Sequence, residues 1–211
     1  MAFDLHLYGD KMATSTMRAE LVLKVLDVPY TMHNISLRKE ENKLPEHLER
    51  QPFGKVPALK DTSNDLVLFE SRCLMRYIAN KHGGKLYGEG DIAKQALIDN
   101  WLDVEANTYN GPVSGIVYEI VFKPMFLKAD PDTECVEKLK AELDAILDVY
   151  DKHLYKNKYL SGDDLSLSDL CHIPYTHYLI HKAKYNPFEN KPNVQKWWDC
   201  LSKYEDMISC L

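Results

Sequence analysis

No apolar run in the 211 residues approaches the roughly 20 consecutive residues a helix needs to cross a bilayer. A basic excess is missing too: 26 Lys and Arg stand against 32 Asp and Glu, a formal net charge of -6. Nucleic acids and anionic membrane surfaces attract cationic proteins, so neither is expected as a partner. There is no Cys-x-x-Cys pair. The five cysteines, Cys73, Cys135, Cys171, Cys200 and Cys210, are odd in number and widely spaced, which argues against a metal site or a redox dithiol. They read as free thiols in a reducing compartment, with Cys210, next to the last residue, the one most open to reaction. Asp4 breaks the apolar character of MAFDLHLYGD, so no signal-peptide core is visible and a cytoplasmic protein is expected. Internal repeats and low-complexity tracts are absent as well.

What is there is an ordinary globular balance, 45% hydrophobic and 27% charged. The length suits one large domain or two small ones. The first part of the chain changes period often. Phe3 to Tyr8 alternates like a strand, Thr14 to Asp27 has helical spacing, and Pro29 to Ile35 reads as a second strand. Pro45 to Arg50 fits a short helix. Two short apolar runs, Lys55 to Leu59 and Leu66 to Phe69, flank a turn at Asp61-Thr62-Ser63-Asn64. A helix then follows from Ser71. The order predicts a βαβ-ββα domain with a mixed four-stranded sheet over residues 1–82, and a polar, turn-rich linker over 83–91. Residues 92–211 carry helical patterning without a strand signal. Val136, Leu139, Leu143, Leu147, Tyr150 and Leu154 form an amphipathic stripe, and Pro192 opens a last helix.

Three segments carry chemistry. In Lys55-Val56-Pro57 a proline at a strand start is a candidate cis bond, which would turn the Val56 backbone outward to pair with an extended peptide; a plain turn is the alternative. In Glu70-Ser71, Ser71 would cap a helix whose N-terminus attracts a carboxylate while Glu70 takes an ammonium; an ordinary capped surface helix is the alternative. Around Ala13-Thr14-Ser15-Thr16 a strand, a loop and a helix start meet, a place that favours an anion such as a thiolate; the hydroxyls also fit simple caps. His177 and His181 share a helix face at a spacing that suits a metal. No Cys or carboxylate obviously joins them, so two surface histidines and no metal are expected.

Taken in order, these segments resemble the cytosolic glutathione transferases, and most closely the phi class found in plants. The resemblance spans essentially the whole chain. It is carried by Leu44-Pro45-Glu46-His47-Leu48, the Pro52-Phe53-Gly54-x-Val56-Pro57-Ala58 run, Leu68-Phe69-Glu70-Ser71-Arg72 and Arg76-Tyr77-Ile78-Ala79. Further along it rests on Asp103-Val104-Glu105-Ala106-x-x-Tyr109-Asn110, Lys196-Trp197-Trp198-Asp199, and a capping box at Ser166-x-x-Asp169. It implies a thioredoxin-like N-terminal domain, an all-helical C-terminal domain and a homodimer, with glutathione as co-substrate and no other cofactor. Carried over, Val56 pairs with the cysteinyl backbone, Glu70 and Ser71 hold the γ-glutamyl end, and Asn42, Lys43 and Lys55 lie near the glycyl carboxylate. Met12, Tyr109, Tyr118, Phe122 and Tyr178 are the candidates to line a pocket for a small hydrophobic molecule, with Tyr175 and Phe126 beside them; core packing is their alternative.

Three positions depart from the class. Asn42-Lys43 stands where His-Lys is usual, and Lys55 where Gln is usual. The third departure is larger: the catalytic Ser of the class falls on Ala13, which has no side-chain donor for the glutathione sulfur. The backbone N–H groups of Ala13 and Thr14 remain, and Thr14 or Ser15 becomes the substitute donor if the loop shifts. Two functions are therefore expected to compete. One is a transferase, weakened by Ala13, that conjugates glutathione to electrophilic hydrophobic compounds. The other is a weakly catalytic or non-catalytic carrier of flavonoid-like molecules, since phi members associated with pigment transport resemble this chain in having Ala there.

Overall fold

The computed structural model describes residues 4–208; Phe3 and Cys210, which figure above, lie outside them. The described residues form two compact units. One runs to Gly90 and takes in the chain from Asp206 onward; the other is Asp91–Glu205. No helix among the described residues is long and apolar enough to cross a membrane.

The first unit is built on a four-stranded sheet in the order β2-β1-β3-β4. Strand β1 (Leu5–Gly9) buries Leu5, Leu7 and Gly9 and leaves His6 and Tyr8 half-covered, the alternation its sequence shows. It runs parallel to β2 (Tyr30–Asn34), with Leu7 beside Met32, and antiparallel to β3 (Ala58–Asp61), with Leu7 beside Leu59. Strand β4 (Leu66–Phe69) closes the hairpin with β3. The first apolar run becomes strand only at Ala58, because Pro57 has no N–H to give to a ladder; the Val56–Pro57 peptide is cis. Helices α1 (Thr14–Val25) and α3 (Ser71–Lys81) pack on each other, burying Met17 and Leu21 of one and Leu74, Met75 and Ile78 of the other. The single-turn α2 (Pro45–Leu48) opens with its proline. At Gly9 a Cβ would sit 2.5 Å from Thr16 Oγ1, so only glycine lets the end of β1 approach the start of α1 this closely.

Asp61 ties the hairpin to α3. It is 1% exposed and accepts hydrogen bonds from the Ser63 N–H and hydroxyl, the Tyr77 hydroxyl and the Lys81 ammonium. Burial alone pushes this carboxyl up, but the bonds from Lys81, Ser63 and Tyr77 outweigh it and hold the group well below the usual carboxylate range.

The second unit is helical. Asp91 caps α4 (Ile92–Val104) through the N–H groups of Ala93 and Lys94. The helix continues without a break through a π turn (Glu105–Tyr109), α5 (Asn110–Val117), a second π turn (Tyr118–Phe122) and α6 (Lys123–Leu127). The proline positions give a reason for the widening. Pro112 and Pro124 lack the N–H that would bond four residues back to Thr108 and Ile120, and both of those lie inside the π turns. Helix α7 (Thr133–Leu154), capped by Asp132, buries the expected stripe at Val136, Leu143, Leu147, Tyr150 and Leu154. Helix α8 (Leu167–Leu170) starts on the Ser166–Asp169 capping box. Asp169 is fully buried; desolvation pushes its carboxyl up, and bonds from the Leu160 N–H, the Trp197 indole and Ser166 oppose this. Helix α9 (Ile173–His177) leads into a third π turn (Tyr178–Lys182), and α10 (Pro192–Leu201) runs into a 3₁₀ turn (Ser202–Met207).

Candidate functional site

Lys55, Val56, Pro57, Glu70 and Ser71, brought together from two loops of the first unit, line one open cleft. Ser15, Arg18, Gln51 and Arg72 line the same cleft. Arg18, Gln51 and Arg72 are functional candidates the sequence reading did not assign, whereas Ser15 stands there as a substitute donor. Nothing local to Arg18, Gln51 or Arg72 in the sequence signals a ligand.

The loop that carries Lys55 and Val56 is held carbonyl by carbonyl. The Asn42 amide donates to Gly54 O at 2.7 Å, and the Lys43 ammonium donates to the same oxygen at 3.1 Å. The buried His47 ring bonds Lys55 O through Nε2 at 2.7 Å, and the Ser15 hydroxyl donates to Val56 O at 2.9 Å. Gln51 Oε1 accepts from the Phe53 and Lys55 N–H groups at 2.8 and 3.3 Å. Gly54 has φ 58°, and a Cβ there would lie 2.8 Å from Lys43 Nζ, so the turn needs glycine. Asn42 and Lys43 thus support the loop; neither lines the cleft.

At the other wall the structure corrects one local expectation. Ser71 is the first residue of α3 and Glu70 occupies the N-cap, with φ 71° and ψ 109° and no side-chain cap bond. A non-glycine residue rarely adopts this backbone, and such strain concentrates at ligand sites. The first N–H groups of this 11-residue helix have no acceptor within it, which suits a carboxylate. The charges agree. Arg18, Lys55 and Arg72 line the cleft together with one carboxylate, Glu70, a charge balance complementary to a molecule with two carboxylates and one ammonium.

The start of α1 is furnished differently. Ala13 is its N-cap residue, φ -78° and ψ 119°, with no side-chain cap bond. Its N–H is not available to a ligand, contrary to expectation, because it donates to Asp10 O at 3.0 Å. Asp10 itself clamps the loop, accepting from the Met12 and Leu37 N–H groups at 2.9 and 3.0 Å. Thr14 is buried and does not line the cleft; Ser15 does, but its proton is committed to Val56 O. The N–H groups of Thr14, Ser15 and Thr16 remain as the first of the helix, with its dipole behind them.

The aromatic candidates divide by burial. Met12 of the first unit is 43% exposed, and Tyr118 of the second is 45% exposed. Phe122 is half-buried and meets Tyr178 edge-on at 5.1 Å between ring centres. Tyr178 and Tyr109 are themselves interior, at 3% and 1% exposure. Tyr109 shares a hydrogen bond with Thr176 and packs on Tyr150 and His172, so its role is core packing, not ligand contact. The expectation of two surface histidines also fails. His177 is 5% exposed, and a carboxylate, Glu205, meets both His177 and His181.

Comparison with known proteins places this geometry. Residues 3–80 match the family model for the glutathione S-transferase N-terminal domain, and residues 116–205 match that for the glutathione S-transferase C-terminal domain. Glutathione S-transferase F10 of Arabidopsis thaliana is 39% identical over 202 residues, covering 94% of this chain and 92% of that protein. Among solved structures, glutathione transferase F7 of Populus trichocarpa superposes with a TM-score of 0.89 at 33% identity, covering 97% of this chain and 99% of its own. Maize glutathione S-transferase I in complex with an atrazine glutathione conjugate superposes with a TM-score of 0.88 at 35% identity, covering 98% and 99%. A sheet-and-helix unit followed by a helical unit agrees with these likenesses, and the chain belongs to the glutathione S-transferase family, in its plant phi class.

Proposed function

We propose that this transferase binds glutathione in the cleft of the first unit and activates it weakly. Val56 pairs with the cysteinyl backbone, Glu70 and Ser71 take the γ-glutamyl end, and Lys55 meets the glycyl carboxylate, with Asn42 and Lys43 supporting its loop. The thiol gives its proton to solvent, the sulfur forms a bond to an electrophilic carbon of a hydrophobic compound, and the leaving group departs from that carbon with the bonding electron pair. The observation that carries the weak activation is the committed state of the donors at the α1 start. Ala13 has no hydroxyl, its N–H is spent on Asp10 O, and the Ser15 proton is spent on Val56 O. What is left for a thiolate is the helix N-terminus and, as the remaining side-chain candidate, the Thr14 hydroxyl.

The hydrophobic co-substrate is received by aromatic surface of the helical domain such as Tyr118 and Phe122. The glutathione-binding domain is residues 1–82, joined through 83–91 to the helical domain of residues 92–211. The chain is a cytoplasmic homodimer; the free thiols of Cys73, Cys135, Cys171 and Cys200 support a reducing compartment, and the exposed apolar side chains of Phe53 and Leu44 support a self-contact.

The test is paired. Glutathione affinity and conjugation rate are measured for this chain and for Ala13→Ser. A large gain in rate at unchanged affinity supports weak activation. An unchanged rate overturns it. A native rate too low to measure, together with tight binding of a flavonoid-like ligand, favours the carrier reading, in which glutathione is held and not used.

A further inference from the structure

His177 closes α9 and His181 stands one turn on, inside the π turn; Glu205 comes from the 3₁₀ turn near the end of the described chain. One oxygen, Glu205 Oε1, lies 2.7 Å from His177 Nδ1 and 3.1 Å from His181 Nε2. The two rings are 4.5 Å apart between centres and 31° from parallel. A set of ligand atoms, one from each residue, lies within 4.8 Å of one another. His177 and Glu205 are buried, while the His181 side chain is 48% exposed.

We propose that His177, His181 and Glu205 form a binding site for a zinc ion. Two imidazoles and a carboxylate are a donor set that suits Zn²⁺, with a fourth position left for water. At ordinary Zn–N and Zn–O lengths, tetrahedral ligand atoms stand about 3.3–3.5 Å apart. The carboxylate oxygen is already within a few tenths of an ångström of that spacing from His181, and somewhat closer than it to His177. The larger adjustment, roughly half an ångström, parts Glu205 from His177, and the smaller one falls on the half-exposed His181, which has room to move. His177 Nε2 makes no hydrogen bond among the described residues, so only Glu205 holds the proton on Nδ1. That proton can pass to Nε2, and Nδ1 then offers a lone pair. Among the described residues, the ion-pair partners of the Glu205 carboxylate are these two rings. A divalent cation would therefore take the place of the shared hydrogen bonds at a buried negative charge. The site would staple the 3₁₀ turn to α9 and its π turn, a fixed link between segments 24 and 28 residues apart in sequence.

The test uses the full-length protein, stripped with a chelator, dialysed and titrated with Zn²⁺ against a chromophoric competitor; Co²⁺ serves as the spectroscopic probe. One Zn²⁺ per chain is expected, with visible Co²⁺ bands of a low-coordinate site and no near-ultraviolet thiolate band. His181→Ala, at a half-exposed position, should weaken Zn²⁺ binding by at least about tenfold and abolish the zinc-dependent rise in Tm. Glu205→Gln should do the same where it folds. His33→Gln should change nothing, although His33 and His6 form a second histidine pair, with ring nitrogens 2.9 Å apart. No zinc binding at millimolar metal, a thiolate band, or affinity unchanged in His181→Ala would each overturn the proposal.

Discussion

On the wall built from Lys55–Pro57, the carbonyls of Gly54, Lys55 and Val56 are each held by a side chain from elsewhere in the unit: Asn42 with Lys43, His47, and Ser15. At the start of α1 the backbone is held just as firmly by Asp10, but the N-cap side chain is a methyl group. Both regions are tied by side-chain hydrogen bonds, but only at the start of α1 is the N-cap hydroxyl missing and the neighbouring one spent on another carbonyl. The difference separates two properties that a transferase normally joins. Binding a tripeptide needs a shaped edge and matched charges. Keeping its sulfur ionised needs a donor or a positive field at one atom.

The largest effect expected is the gain from Ala13→Ser. One preorganised donor to a developing or resident anion is worth on the order of 10²–10³ in rate. The same change should raise stability by about 1 kcal/mol, because Ser is a favoured N-cap and Ala is not. Stopped-flow conjugation and thermal unfolding check the two halves of this prediction. A stability gain without a rate gain would mean that the hydroxyl faces the helix and not the sulfur.

Next in size is Glu70→Gln, which removes a charge from the wall that is already complete. A charge-assisted bond contributes about 1.5–3 kcal/mol, so glutathione affinity measured by calorimetry should fall roughly 10- to 100-fold. The rate at saturating glutathione should hardly change. If the rate falls and the affinity does not, the roles of the two regions have been assigned the wrong way round.

Ser15→Ala tests the one bond that joins the two regions. Losing its hydrogen bond to Val56 O should cost about 1 kcal/mol, seen as a roughly fivefold weaker affinity. A rate loss at saturation would instead make Ser15 an activating donor. The smallest site effect is expected from Thr14→Val, which keeps the shape of a buried residue. Below about threefold in rate, it leaves activation with the backbone; a loss of tenfold or more would return the role to the Thr14 hydroxyl.

Acid stability probes the frame beneath both regions. The Asp61 carboxyl is held below its ordinary value, so its contribution is complete above that ordinary value and is lost as pH falls through the lower, folded one. Asp61→Asn should therefore destabilise the protein most at neutral pH. The gap from the parent should close progressively in strong acid, as followed by circular dichroism.

Much of this was legible in order and spacing. The alternation of β1, the cis bond before Pro57, the α7 stripe and the Ser166–Asp169 box all depend on neighbours within a few residues, and local patterns report local physics. The rest depends on distance or conformation. Glu205 reaches His177 across 28 residues and Ser15 reaches Val56 across 41, and neither pairing leaves a mark in the sequence. That Glu70 and not Ser71 takes the N-cap follows from a positive φ, which the residue type argues against. The commitment of the Ala13 N–H to Asp10 is a turn bond, visible only once the loop is built. Tyr109 sits at helical spacing that suits a pocket or a core equally, and packing decided between them.

The π turns make chain length a sensitive variable in the first long helical stretch. Each holds one residue more than an α-helix would use to cover the same rise. Deleting a residue from Glu105–Tyr109 would restore the narrower helix and press the ring of Pro112 against the carbonyl four positions before it, at a cost of about 3 kcal/mol. The same holds for Tyr118–Phe122 and Pro124. A one-residue gap at either turn is therefore a change of helix geometry, and an alignment that slides past it would mispair the side chains on both sides.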